Sequence, residues 1–160
     1  LLLETTRLAS GLAVTRDEIG HRIDLLRSAV GQAWLFAASA TEAERVATLL
    51  AKPAGMSVDS VRQRIDDIRA AVRRQGYAER APGFGGHDDP IDRFDDQLAA
   101  IAVPVRDGER ALGALNIVWL KRFDARAALV NRHLGHLQRT ADQIALRWRH
   151  GDSRTQDDGS

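Results

Sequence analysis

The apolar residues of the chain are most concentrated at positions 98–120, where two apolar runs enclose the polar, glycine-containing stretch 106–109. This pattern predicts two antiparallel strands, at residues 98–105 and 111–120, joined by a turn. Both runs are apolar at nearly every position instead of alternating, so we expect an internal sheet with both faces of the hairpin covered. Pro104 has no N–H to donate, which predicts a bulge or the end of strand pairing near it.

Asn116 places an amide within the second apolar run. Because side chains alternate along a strand, Asn116 shares one face with Ala114 and Val118, while the larger apolar residues around it share the other. The face with a polar atom and small neighbours is the one that can leave room for a ligand. A structural amide bonded only to neighbouring backbone is the alternative interpretation.

Three helices are predicted before the hairpin. Residues 28–38 are alanine-rich, begin with the N-cap residue Ser28 and are apolar nearly all round, which predicts a buried helix. Gly31 within this helix predicts close packing against the sheet. A second helix is predicted at 41–51, capped by Thr41 with a glutamate three residues on.

The third helix, at residues 57–75, has the clearest helical period. Its apolar residues recur at spacings of three and four, Ser57 supplies the cap, and Gly76 stands where a C′ glycine belongs. Its charges are interspersed in sign, so we interpret them as a solvated face and not as a nucleic-acid patch. A short strand at 77–80 and a long acidic loop at 82–96 follow, and loops of that length are often binding loops.

The last helix is predicted at residues 124–148. Short strands are predicted at 1–6 and 12–16, with a third at 21–26, and the polar tail 151–160 is expected to be disordered. This element order is that of an α+β domain. The apolar positions of the last helix form one seam, which could pack on the sheet or on a partner helix: Val130, Leu134, Leu137, Ala141, Ile144 and Trp148.

Composition narrows the class of protein. The 160 residues, 44% of them hydrophobic and 28% charged, suit one globular domain. The absence of cysteine excludes disulfides, thiolate zinc sites and cysteine nucleophiles, and it fits a reducing cytoplasm. No apolar run approaches the roughly 18 residues of a membrane span, so no membrane partner is expected. With a formal net charge of +1 and no basic stripe found in the sequence, these residues alone are not expected to hold DNA.

Few side chains are candidates for catalysis or metal binding. His87, Asp88 and Asp89 are adjacent in the acidic loop without a second ligand cluster, and His133 and His136 lie three residues apart on the last helix. Both groups are interpreted as solvated side chains and not as metal sites. No nucleophile and base arrangement, phosphate-binding glycine loop or spaced carboxylate pair stands out, so we expect neither an enzyme nor a cofactor.

Three segments together resemble a known family. They are LLRSAVGQAWLFAASATEAER, RQGYAER and AIAVPVRDGERALGALNIVWL, in this order along the chain. They are similar to the C-terminal effector-binding domain of IclR-type bacterial transcriptional regulators, in particular to the branch that controls catabolism of aromatic acids. The resemblance implies a GAF-like fold over residues 1–150, with an antiparallel sheet flanked by helices. It also implies an N-terminal winged helix-turn-helix domain, absent here, so we expect the chain to be part of a longer protein.

In this family the small carboxylate effector lies between the sheet and the start of the helix that follows the LLRS-type segment. The matching positions are the backbone of Ala29 and Val30, Ala100 on the first hairpin strand, and Asn116 and Val118 on the second. A helix start offers unpaired N–H groups and a partial positive charge, which suit an anion. Because Ala100 and Val118 are apolar where sensors of small acids carry polar residues, we expect a larger, aromatic acid.

Other residues near the helix start complete the candidate site. Trp34, with Phe36 beside it, could form an aromatic wall or belong to the core. Arg27 could pair with the carboxylate of the ligand or be an ordinary surface arginine. Ser28 is included as the cap that precedes the backbone donors.

The sequence thus predicts an effector-binding, oligomer-forming domain of a cytoplasmic transcription factor. Its expected partners are a small organic acid, further copies of the chain in a dimer or tetramer, and operator DNA only through the missing N-terminal domain. Two alternatives remain open. One is a GAF-like dimerisation module with a filled core, which would show no space behind Asn116. The other is a GAF-like enzyme, which the lack of cysteine deprives of thiol chemistry.

Overall fold

A computed structural model of the chain describes residues 22–84, 97–123 and 126–157. The predicted strands at 1–6 and 12–16 and most of the predicted loop at 82–96 lie outside these residues. The fold is α+β, as predicted. In chain order the elements are α1 (Ala29–Ala37), α2 (Ala40–Ala51), α3 (Val58–Gln75), β1 (Ala78–Glu79), β2 (Leu98–Asp107), β3 (Arg110–Leu120), a 3-10 turn (Lys121–Phe123) and α4 (Arg126–Asp157).

The three strands form one antiparallel sheet in the order β1, β2, β3. The predicted hairpin is confirmed, with its turn at Gly108 and Glu109 and a register shift between Val105 and Arg106. The backbone N–H of Arg80 donates to the carbonyl of Ala100, so the even-numbered residues of β2 turn their N–H groups towards β1. Pro104 falls in this set beyond the end of β1. Its missing N–H therefore costs no hydrogen bond, as expected where pairing ends.

The two hairpin strands differ in burial. Residues 100–103 of β2 are all buried, whereas every residue of β3 is at least partly exposed. The prediction that both strands would be fully covered is therefore right for β2 and wrong for β3. Within the described part of the chain, β3 pairs with β2 alone, so its other edge has no neighbouring strand among these residues. The apolar sequence of β3 does not indicate that it lies at an edge.

Helices lie on both faces of the sheet. Ala100 and Ala102 pack in one cluster with buried residues of α1, α2 and α3. Ile101, Val103 and Val105 point to the other face and pack with α4. This alternation is the one predicted from the strand period, and it makes the sheet the middle layer of the domain.

Helix α1 is buried and begins after Ser28, as predicted. The Ser28 hydroxyl accepts a hydrogen bond from the N–H of Gly31 at 3.0 Å. The atoms that a side chain at Gly31 would meet first, however, belong to the preceding turn and not to the sheet. A Cβ atom there would lie 2.4 Å from the carbonyl oxygen of Asp24 and 2.5 Å from the Cα of Leu25. The glycine is thus required by the turn that leads into the helix.

The segment before α1 also differs from its prediction. Residues 22–26 do not form a strand, and residues 25–27 form a turn. The carboxylate of Asp24 accepts hydrogen bonds from the N–H groups of Leu26 and Arg27, at 2.8 and 2.9 Å. A side chain that takes up backbone donors in this way favours a turn over a strand ladder.

Helix α2 begins one residue earlier than predicted, and its cap lies two residues earlier. Its cap is Ser39, whose side chain forms a reciprocal capping box with Glu42, and not Thr41. The two signatures, Ser39 with Glu42 and Thr41 with Glu44, overlap in the sequence, and the earlier one is used. Helix α3 is confirmed from its Ser57 cap to Gly76, which has a φ of 82°.

Helix α4 follows its predicted seam only in part. The buried residues are Val130, Leu137, Ala141 and Ala145. Ile144 and Trp148, predicted in the same seam, are 41% and 51% exposed. The side chain of Arg149 pairs with Asp107 at the hairpin turn, so this part of the helix lies beside the end of the sheet and has little to pack on.

The predicted disordered tail is wrong for residues 151–157, because α4 continues to Asp157. Extending an existing helix adds a hydrogen bond for each residue without a new nucleation cost, so a polar sequence can continue it.

Candidate functional site

The predicted ligand-facing residues of the hairpin lie on one face of the sheet. Ala100 pairs directly with Val118, and Ala102 pairs with Asn116. Directly paired residues share a face, and Ala100 and Ala102 belong to the cluster that includes α1. Asn116 and Val118 therefore lie on the same side of the sheet as α1.

The start of α1 is tied to the same end of the sheet. The carbonyl of Arg27 accepts a hydrogen bond from the N–H of Ala81, and the neighbouring Arg80 N–H donates to Ala100. Arg27 and Ser28 are thus close to the pair formed by Ala100 and Val118. The structure brings the helix start and this end of the hairpin together, as the candidate site requires.

Two backbone donors at the start of α1 are unused. The N–H of Gly31 is bound by Ser28, and the first bond within the helix runs from Gln32 to Ser28 at 3.0 Å. The N–H groups of Ala29 and Val30 have no hydrogen-bond partner in the described part of the chain. These two N–H groups can donate hydrogen bonds to an anion, which the positive end of the helix dipole also attracts.

Asn116 and Val118 leave this face of the sheet incompletely packed. The side-chain amide of Asn116 forms no hydrogen bond with the residues that the structure describes, and the residue is only partly buried. Val118 is 36% exposed, whereas Ala100 opposite it is 4% exposed. The structural alternative for Asn116, an amide bonded to neighbouring backbone, is therefore not observed. Its donor and acceptor remain available to water or a ligand.

The two aromatic residues of α1 do not form one wall. Trp34 is partly buried and packs against the cluster on the α1 side of the sheet. Phe36, near the other end of α1, packs against the same cluster but also lines a separate cleft of about 610 Å³ together with Val103 and Pro104 of β2. Trp34 thus remains a candidate for the site, and Phe36 does not.

Arg27 is engaged by an aromatic residue that sequence reasoning missed. Its guanidinium lies over the ring of Phe84, 4.7 Å from the ring centre, and Arg80 lies 5.1 Å from the same centre. Arg80 also donates to the carbonyl of Phe84 at 3.0 Å through Nε. Phe84 is 5% exposed. Arg27 therefore anchors residues 80–84 beside the helix start.

A partly buried carboxyl group on β1 has a shifted pKa. Burial raises the pKa of Glu79 above its ordinary value, and the nearby Arg126, 2.6 Å away, partly offsets this effect. Among residues 22–84, 97–123 and 126–157, no group of three or more metal-ligating side chains occurs. Within the same residues, none of the helices has the length and apolar character needed to span a bilayer.

Comparison with solved structures identifies the type of fold. An IclR family transcriptional regulator from Brucella abortus superposes with a TM-score of 0.61 at 19% identity, covering 84% of this chain and 48% of that one. A transcriptional regulator from Rhodococcus sp. RHA1 superposes with a TM-score of 0.58 at 16% identity, covering 86% and 52%. The inducer-binding domain of PobR from Acinetobacter, a double mutant in complex with 3-hydroxybenzoic acid, gives 0.52 at 16% identity, covering 79% and 68%.

The fold is GAF-like. The chain spans about half the length of the first of these regulators, 48% of it. No family model matches the sequence. At 16 to 19% identity, the likeness concerns the fold and not the residues of the site.

Proposed function

We propose that the chain is the effector-binding domain of an IclR-type bacterial transcription factor and that it senses a small aromatic carboxylate. The carboxylate accepts hydrogen bonds from the N–H groups of Ala29 and Val30. The Asn116 amide contacts the polar substituent at the other end of the ligand, and the ring lies between Trp34 and the face of β3 that carries Val118.

The observation that carries this proposal is a set of three polar groups without a hydrogen bond to the described residues on the α1 side of the sheet. Within the described residues, two N–H groups at a helix start and one amide on β3 lack partners, although the helix start is tied to the same end of the hairpin. Backbone donors at a helix start favour an anion. A partly open, otherwise apolar face of the sheet favours an anion that carries a flat, apolar group such as an aromatic ring.

The class of effector rests on the side chains around these groups. Ala29, Ala100 and Val118 cannot donate or accept hydrogen bonds through their side chains, so a small, highly polar acid would lose contacts with water without replacing them. An aromatic acid needs few hydrogen bonds and gains from apolar contact. The complex of PobR with 3-hydroxybenzoic acid supports this class for a domain of the same fold.

In the full protein, we propose that the domain controls a separate DNA-binding domain in the cytoplasm and holds several copies together. Three observations accord with this role: the likeness to transcriptional regulators, a chain that spans 48% of the first of them, and a formal net charge of only +1. Operator DNA would be read by a winged helix-turn-helix outside these residues.

Calorimetric titration of the chain with benzoates, phenylpropionates and short keto acids tests the proposal. We expect saturable binding of an aromatic acid and none of the keto acids. Asn116→Leu should abolish binding and leave the fold at least as stable, because a half-buried amide is replaced by an apolar side chain. The matched control is Asn131→Leu, which removes an exposed amide from α4 and should bind as the unsubstituted chain does.

Two results would contradict the proposed site. If Asn116→Leu binds normally, the amide does not contact the ligand. If it unfolds at a much lower temperature than the unsubstituted chain, the amide has a structural role that the observed lack of hydrogen bonds does not suggest.

A further inference from the structure

The solvent-facing side of α4 carries a row of arginine, histidine and glutamine side chains without an acidic member. We call these residues the α4 stripe; all are exposed, and they follow one another at spacings of four, three, four, four and three: Arg132, His136, Arg139, Gln143, Arg147 and His150. Such spacings place side chains on one face of a helix. This face lies away from the buried seam that packs on the sheet.

The arginines of the α4 stripe are not used within the fold. Arg132, Arg139 and Arg147 form no ion pair or hydrogen bond in the described part of the chain. By contrast, Arg126 and Arg149 of the same helix lie outside the stripe and pair with Glu79 and Asp107. The helix thus keeps its paired arginines beside the sheet and its unpaired ones on the solvent side.

The solvated face of helix α3 mixes both signs of charge. Its Arg64, Arg73 and Arg74 also form no ion pair with the described residues, but Asp66 and Asp67 stand between them in the sequence. Arg62 pairs with both Asp59 and Glu44, and Gln63 donates to Asp67 at 3.0 Å. Opposite charges three and four residues apart stabilise a helix, and like charges do not. The nearest carboxylate to the stripe on this helix is that of the exposed Asp142, three residues after Arg139, and it forms no ion pair with Arg139 in the described part of the chain. The three arginines of the stripe therefore gain little from charges on their own helix, which points to a partner outside the chain.

The spacing of the arginines suits another helix better than a nucleic acid. Arg132 and Arg139 are about 10 Å apart along the axis, and Arg139 and Arg147 are about 12 Å apart. These distances match residues on successive double turns of a partner helix. A duplex carries a charge about every 1.7 Å of its axis, so three arginines in a straight line would meet few of its phosphates.

An apolar residue beside the α4 stripe supports the same choice. Leu146 stands seven residues after Arg139, on the same side of the helix, and is 50% exposed. A protein surface can cover a leucine, whereas nucleic-acid interfaces are more polar and more strongly charged. We propose that the α4 stripe is a docking surface for an acidic, amphipathic helix of another protein.

The test uses the chain as it is and a synthetic probe. The probe is a fluorescent helical peptide of about four heptads with glutamate at one flanking position of each heptad and a leucine seam. Fluorescence anisotropy should show saturable binding that weakens between about 50 and 200 mM NaCl. The triple variant Arg132→Gln, Arg139→Gln, Arg147→Gln should weaken binding about tenfold, since each exposed ion pair contributes a fraction of that factor.

A matched control separates the stripe from general charge. The triple variant Arg64→Gln, Arg73→Gln, Arg74→Gln removes the same number of exposed charges from α3 and should leave binding within about twofold. All six positions are largely exposed, so melting temperatures should stay unchanged.

Three results would overturn the proposal. One is the absence of binding to the acidic peptide. Another is an equal loss of affinity in both triple variants, which would mean that the peptide is attracted to the positive charge of the protein in general and not to the stripe. The third is tighter binding of a duplex of about 25 base pairs that the α4 variant abolishes, which would assign the stripe to nucleic acid. None of these results depends on whether an aromatic acid binds beside α1, on the other face of the sheet.

Discussion

Three serines cap helices in the described part of this domain, Ser28, Ser39 and Ser57, but only Ser28 stands at the candidate site. Its hydroxyl accepts from the N–H of Gly31 and donates to the carbonyl of Asp24 at 2.5 Å, so both of its roles are already filled within the fold. Ser57 has the equivalent role at the start of α3, where it accepts from Ser60 at 3.1 Å. Comparing substitutions at Ser28 and Ser57 therefore separates the effect of losing a helix cap from an effect on ligand binding.

We predict that Ser28→Ala lowers the free energy of unfolding by about 1 kcal/mol through the lost cap. Affinity for the aromatic acid should fall only slightly, because the backbone N–H groups of Ala29 and Val30 hold the anion. Ser57→Ala should cost a similar stability and leave affinity unchanged. Denaturant unfolding and calorimetric titration measure the two effects. A complete loss of binding in Ser28→Ala would show that the hydroxyl itself contacts the ligand.

Gly31 is the residue whose environment differs most from its prediction. The sequence shows only that a glycine interrupts an apolar helix, and close packing follows from that. The packing partner cannot be predicted, because it is the backbone of the preceding turn, folded by the side chain of Asp24.

We predict that Gly31→Ala destabilises the domain by several kcal/mol, of the order found for overpacking against a rigid neighbour. The nearest atoms are backbone and cannot rotate away. Gly135→Ala is the matched control in α4, where a Cβ would meet only the flexible end of Arg139 at 3.4 Å. It should stabilise the helix by up to about 1 kcal/mol. Equal and small changes in the two thermal melts would show that the turn before α1 can shift freely.

At the scale of elements, the sequence predicts whatever depends on neighbours in the chain. The hairpin and helices α1 and α3 were predicted nearly to their ends, because turn residues, caps and periods are local signals. The partial exposure of β3 was not predicted, nor was the burial of Ala145 in place of Ile144 on α4. Both depend on where the described sheet ends. In the site, the face of Asn116 followed from alternation, whereas Phe84 joined it through a contact distant in sequence.

The connection between β1 and α4 has a predicted pH dependence. Because burial raises the pKa of Glu79 in the fold, the folded state holds this proton more tightly than the unfolded chain does. The contribution of Glu79 to stability is therefore greatest below its ordinary pKa and falls as pH rises through the raised folded value. Glu79→Gln should remove this fall, seen as a flatter plot of unfolding free energy against pH.

Glu42 provides the opposite control. Its hydrogen bonds with Ser39 lower its pKa, so its contribution is present above the ordinary value and is lost as pH falls. Glu42→Gln should flatten that acid-side loss and leave the Glu79 effect in place. If Glu79→Gln instead steepens the fall with rising pH, the pairing with Arg126 outweighs burial.

At the scale of the whole molecule, apolar exposure is concentrated at the end of α4. Ile144 and Trp148 continue the line of the buried seam beyond the sheet, at 41% and 51% exposure. The seam was predicted to pack on the sheet or on a partner helix, and its first part packs on the sheet. The remaining part is available to another copy of the chain, on a different face of the helix from the α4 stripe.

We therefore predict that the chain self-associates and that the end of α4 contributes to the contact. Sedimentation at about 50 μM should show a dimer or tetramer, because a weak interface is populated at this concentration. Trp148→Glu should shift the distribution towards monomer, because a charge replaces a large apolar side chain that a partner would cover. Leu49→Glu changes a residue of α2 that is 62% exposed and should leave the distribution unchanged. Monomer alone at this concentration would contradict self-association, and equal dissociation of both variants would move the contact away from α4.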